Sequence, residues 1–148
     1  MKTVFFDSTF GHPWVSTLMG VFLMRKETQP LLKHIFQVSQ EGEDDDKWIK
    51  KIDEGDCIVI SGDQGHGKPR LPLICKQKNI THIILSPNVH HSTRFDRARA
   101  ILALWPHILE TFNAPPGSRF QLQQDSTKKG YVLKSKDHRA KRKRPKRK

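Results

Sequence analysis

Three short apolar runs constrain this chain more than any other feature. Thr3–Phe6, Cys57–Ser61 and His82–Ser86 are apolar at successive positions instead of alternating with polar residues. A strand with one wet face alternates; a strand apolar throughout is covered on both faces. Cys57–Ser61 is the strongest of the three, rich in β-branched residues and bounded by Gly55 and Gly62. Helical signals separate the runs. Pro13 suits a first helical turn, with Trp14, Leu18 and Val21 on one face. The acids Glu41–Asp46 precede Trp48, Ile49 and Ile52, where negative charge favours a helix start, and Gly55 ends that helix. Leu71–Lys78 reads as a short helix, and Phe95–Phe112 as a long helix interrupted late by Pro106.

His34–Val38 is a further strand candidate, and the alternation over Arg119–Gln123 suits an edge strand. The order is β-α-β-α-β-α-β-α-β. Buried strands alternating with helices predict a three-layer α/β/α domain with a mainly parallel central sheet. In such folds ligands bind outside the carboxyl ends of the strands.

The chain has 148 residues, enough for one domain with its own core, and a formal net charge of +12. That charge is unevenly placed. Residues 1–126 carry 15 Lys+Arg against 14 acids, whereas residues 127–148 carry 12 against Asp137 alone. The predicted domain, 1–126, is therefore almost neutral, and its overall charge does not mark it as a nucleic-acid binder. Residues 127–148 end in Arg139–Lys148, a run without a large apolar residue, and are expected to form a disordered basic tail. Such a tail suits either non-specific RNA contact or an acidic partner.

Cys57 and Cys75 lie in apolar runs and are expected as reduced, buried thiols. Two cysteines without companion ligands make no zinc motif. No stretch has the length of a membrane span, and the start lacks a basic segment followed by an apolar one. The expectation is a cytoplasmic protein without membrane contact.

Three acidic features fall where the strand-end rule points. Asp7 follows the first strand, Asp63 lies two residues beyond Ser61, and Asp44, Asp45 and Asp46 open the helix that feeds that strand. Converging carboxylates repel unless a cation lies between them. Hard divalent ions take oxygen ligands and promote phosphodiester hydrolysis. Each acid taken singly also has a plainer role: Asp7 and Asp63 as turn residues, Asp44–Asp46 as helix-start partners.

The stretch Val4–Phe10, the segment Asp44–Ile49 and the run Ile58–Asp63 resemble successive motifs of the PIN-like domain family. The toxin branch of VapC-type toxin–antitoxin modules is the nearest match, and Ala100–Ile108 is similar to it as well. The resemblance covers residues 3–112. It implies an endoribonuclease dependent on Mg²⁺ or Mn²⁺ that hydrolyses RNA phosphodiester bonds. Its acidic ligands would be Asp7, Asp45 and Asp63, with Asp46 a rival to Asp45. It also implies a cognate antitoxin protein as partner, and it admits a homodimer. Many PIN domains carry a further acid after the third motif; between Asp63 and Asp96 this chain has none. That departure supports an alternative, a degenerate, non-catalytic PIN-like module that binds RNA or a partner.

Gly62–Pro69 approaches the phosphate-binding loop GxxxxGK[ST], but Pro69 has neither the hydroxyl nor the N–H that the last position needs. The glycines suit a turn at Asp63, and Lys68 and Arg70 are candidates for RNA phosphate contact. His90 and His91 follow the fourth strand near the expected crevice, where they could transfer protons, but are read first as loop residues at a helix start. His12 and His66, which flank Asp7 and Asp63, are read alike, and Ser8 and Ser61 could hydrogen-bond in the site, although serine at a strand end is common in turns. Trp14, Trp48 and Trp105 fall on apolar helix faces and are assigned to the core.

Overall fold

The computed structural model describes residues 2–7, 10, 31–34, 57–62, 71–125 and 130–136. Six strands form one sheet: β1 (Thr3–Phe6), β2 (Leu31–His34), β3 (Cys57–Ser61), β4 (Thr81–Leu85), β5 (Arg119–Asp125) and β6 (Gly130–Ser135). Their spatial order is β2-β1-β3-β4-β5-β6. The first five are mutually parallel and β6 runs antiparallel along β5. The expected mainly parallel α/β sheet is present.

Burial explains the unbroken apolar runs. Every residue of β1, β3 and β4 is buried. Successive side chains leave opposite faces of a strand. Val4, Phe6, Ile58, Ile60, Ile83, Leu85 and Leu122 meet one core, and Phe5, Cys57 and Val59 meet another. The helix α1 (Leu71–Gln77) covers the smaller core with Cys75 and Ile74. It ends where Asn79 takes a positive φ of 58° and Ile80 N–H donates to the Cys75 carbonyl at 2.8 Å.

The larger core lies under three helices, α2 (Pro87–His90), α3 (Arg94–Ala103) and α4 (Trp105–Glu110). Ala100, Ile101, Trp105 and Ile108 fill it. Ser86 caps α2, its hydroxyl accepting from Val89 N–H at 3.4 Å, and Thr93 caps α3, accepting from Asp96 N–H at 3.1 Å. Cys57 and Cys75 are free and buried, as expected.

Four readings shift. The long helix expected over Phe95–Phe112 is two helices and a 3₁₀ turn, Thr111–Asn113. Pro106 has no N–H for a continuing helix and instead occupies the first turn of α4, so the break falls at Leu104. β2 begins at Leu31, ahead of the strand expected at His34–Val38, of which residues 35–38 lie outside the described residues. The strand expected at His82–Ser86 runs Thr81–Leu85, because Ser86 is used as a cap.

The fourth shift concerns the sheet's far side. β5 is not an edge: β4 and β6 flank it. β6 falls inside the segment assigned to the tail. Tyr131 and Leu133 pack against the larger core, Leu133 in register with Leu122, so their alternation outweighs the neighbouring lysines. The candidate helices around Trp14 and Trp48 and residues 137–148 lie outside the described residues.

Candidate site at the carboxyl ends of β1 and β3

The strand order reverses at β1. From β1 the chain passes to β2 on one side, and β3 returns to lie against β1 on the other. The carboxyl ends of β1 and β3 thus form the topological switch point, where open α/β sheets hold their ligands. Phe6 is in register with Ile60, so Asp7 and Ser61 end adjacent strands side by side. Asp7 N–H donates to the Ile60 carbonyl at 3.1 Å and extends the ladder by one step. The chain then turns, Phe10 N–H donating to the Asp7 carbonyl at 3.0 Å, while the Phe6 and Phe10 rings meet edge to face at 5.1 Å between centroids. This packing fixes Asp7, which is only 6% exposed.

Of the predicted acidic residues the structure therefore places Asp7 at the expected strand end. Asp45, Asp46 and Asp63 lie outside the described residues, as do Asp44, Lys68, Arg70, Ser8, His12 and His66. Among the described residues no three His, Cys, Asp or Glu side chains gather as a metal-holding group. Trp105 is a core residue.

Ser61 is fully buried and shares a hydrogen bond of 2.7 Å with His82 Nε2, from the adjacent strand β4. His82 is itself fully buried and, among the described residues, its Nδ1 has no partner. Burial first, and then the Arg119 charge, push the His82 imidazole down from 6.5 to about 3, so it is neutral across the physiological range. Arg119 stands in register with His82 on β5, and its buried Nε also has no partner among the described residues. A polar row thus crosses the sheet through Ser61, His82 and Arg119. Neither His82 nor Arg119 stood out as a site residue in the sequence. The usable signal was a polar residue inside a run whose neighbours are all core, because a buried polar group must find a partner.

His90 closes α2 beyond the carboxyl end of β4, with His91 next to it and ring centroids 4.8 Å apart. Partial burial, then His91, then Arg97 lower the His90 imidazole's basicity. Arg97 holds this corner, donating to the His90 carbonyl at 3.1 Å and the Ser92 carbonyl at 2.9 Å. His90 Nδ1 is buried and has no partner among the described residues. The pair was expected in a loop at a helix start; instead His90 ends α2 and His91 caps it.

A groove of about 490 Å³ opens elsewhere, between α4 and the β5–β6 ribbon. None of its lining residues belongs to β1 or β3. Among the described residues no helix is long and apolar enough to cross a membrane. No family model, no curated protein and no solved structure matches this chain.

Proposed function

We propose that this chain is a metal-dependent endoribonuclease of the PIN-like kind, acting as the toxin of a toxin–antitoxin module. One observation carries the reading: a buried carboxylate, Asp7, stands at the switch point of a parallel sheet, beside the strand end from which Asp63 follows two residues on. Carboxylate oxygen is the donor type that Mg²⁺ and Mn²⁺ select, so Asp7 fits such an ion. Asp63 and either Asp45 or Asp46 would complete the ligands. The cation would supply Lewis acidity, activating water and offsetting charge on the phosphate.

The chain's own residues supply position. The β1–β3 ladder fixes the Asp7 backbone, and the Phe6–Phe10 contact restrains the turn after it. Lys68 and Arg70 would contact RNA phosphates, and the basic residues beyond 136 would raise association at low salt. An antitoxin would silence the enzyme by covering the strand ends.

The test is RNA cleavage with Mg²⁺ or Mn²⁺ by the full chain, Asp7→Asn and Asp63→Asn. Cleavage that requires the metal and disappears in both variants is the expected result. Metal-independent cleavage, or equal cleavage by all three, refutes the reading. RNA binding without cleavage replaces it with the non-catalytic module.

A further inference from the structure

A lone exposed apolar side chain is ordinary on a protein surface. Phe95, 73% exposed, is set apart by its neighbours. It lies in the first turn of α3, preceded by the exposed Arg94 and followed one helical turn on by Arg99. Residues four apart meet on a helix surface, so Phe95 and Arg99 share a face. Leu102, 44% exposed, continues that face. Ala100 and Ile101 fill the core under α3, which does not use Phe95. α3 carries one acid, Asp96, against three arginines. Arg97 is turned to the His90 and Ser92 carbonyls, whereas Arg94 and Arg99 face solvent.

β6 holds Arg99 in place. The guanidinium lies over the Tyr131 ring, 5.7 Å from its centroid, and donates to the Tyr131 hydroxyl at 3.3 Å. That hydroxyl donates in turn to the Asp96 carbonyl at 3.4 Å. The cation is thus backed by a half-buried ring and neighbours an open one. The topology sets this cluster at the carboxyl ends of the strands. α2 leaves the carboxyl end of β4 and α3 follows it, while Tyr131 pairs with Gln124, one residue before β5 ends. Four strand steps separate β6 from β1, roughly 19 Å in all.

We propose that Phe95 and Arg99, the latter positioned by Tyr131, bind single-stranded RNA: a base stacks on the Phe95 ring, and phosphate meets the Arg99 and Arg94 guanidinium groups. Single strands offer unstacked base faces to an exposed ring, which a duplex does not. A ring beside a cation matches the base beside a phosphate in every nucleotide. An acidic peptide fits only where an apolar residue falls at the right place. The charge of the neighbouring chain also suits a polyanion, since residues 127–148 carry 12 Lys+Arg against Asp137 alone, with Lys134 exposed on β6 itself. The proposal rests on the reading that this chain takes RNA, and it is independent of the metal site.

The test is fluorescence anisotropy of a labelled oligouridine titrated with the full chain in EDTA, where a metal-dependent nuclease does not cut. Affinity is expected to fall about 5-fold or more in Phe95→Ala and to return in Phe95→Trp, which retains a stacking face. Arg99→Gln should reduce the slope of log affinity against log salt by about 0.7. Leu73→Ala, at a 52% exposed position of α1 on the sheet's other face, should bind as the wild type does, and a duplex RNA should lose nothing in Phe95→Ala. Equal oligouridine affinity in wild type and Phe95→Ala overturns the proposal, as does an equal loss in Leu73→Ala. Phe95-dependent binding of an acidic, leucine-containing peptide, with RNA affinity indifferent to Phe95, replaces RNA at this face with a protein partner. A wild type that binds no oligouridine also overturns the proposal; cleavage with Mg²⁺ by the same preparation then decides the nuclease reading separately.

Discussion

Replacing His82 by glutamine should flatten the acid side of the stability curve. Folding holds the imidazole at a pKa of about 3, against 6.5 for the free group, through burial and the Arg119 charge. Between those two values the unfolded chain binds a proton that the folded chain refuses. Stability therefore rises with pH in this window. The contribution is complete above about pH 6.5, shrinks as the pH falls, and is gone below about pH 3. The slope is about 1.4 kcal/mol per pH unit for one proton. From pH 7.5 to pH 5, His82 should remove about 2 kcal/mol of stability. That is a large share of the roughly 5–15 kcal/mol that holds a domain together.

The assay is urea unfolding followed by tryptophan fluorescence at several pH values. Glutamine retains an amide N–H to donate to Ser61 and does not titrate. Its absolute stability is immaterial; the quantity that matters is how the gap between wild type and His82→Gln changes with pH. That comparison cancels the other histidines, including His90, whose basicity is lowered in the same direction. The gap should shift against the wild type by about 2 kcal/mol between pH 7.5 and pH 5. Parallel curves would falsify the claim that a buried, neutral His82 sits in the field of Arg119.

Further substitutions test the frame around the site. Ile60→Ala empties a fully buried position in the larger core, next to the strand end, and should lower unfolding free energy by roughly 2–5 kcal/mol in urea titrations. A loss below about 1 kcal/mol would mean that β3 is not covered on both faces. Thr93→Ala removes the hydroxyl that accepts from Asp96 N–H and should cost about 1 kcal/mol, while Thr93→Ser retains most of it. If the proposed function holds, Mn²⁺ raises the melting temperature of the wild type, and Asp7→Asn abolishes both that rise and RNA cleavage.

The parallel sheet was legible because its strands are buried on two faces. Val4–Phe6 and Ile58–Ile60 have no polar interruption, and only a covered strand tolerates that. β6 was illegible for the opposite reason. Tyr131, Val132 and Leu133 are half-buried and stand beside Lys134 and Lys136, so the pattern of one covered face was lost in a charge-rich segment. The helix break at Leu104 followed from Pro106, but its position did not, because proline is accommodated in a first turn and the next helix could start around it. At the site, Asp7 was legible as the polar residue that ends an apolar run. His82 was not. A histidine at the start of a strand can point to either face, and only the register with Val59 and Arg119 sets it beside Ser61.

That asymmetry bears on what the sheet does for chemistry. A carboxylate at a strand end can be a turn residue or a ligand, and position in sequence does not separate the two. Position in the sheet separates them better. Asp7 opens a turn, its carbonyl accepting from Phe10 N–H, and yet is nearly buried at the point where strand order reverses. Ser61, one strand over, is buried too, and it is tied through His82 to a row that ends in a cation. Burying these groups carries a desolvation cost that a simple turn would not require. On the proposed reading a ligand held at this sheet end offsets that cost, beside a core of Phe5, Val59 and Ile80 that is otherwise apolar.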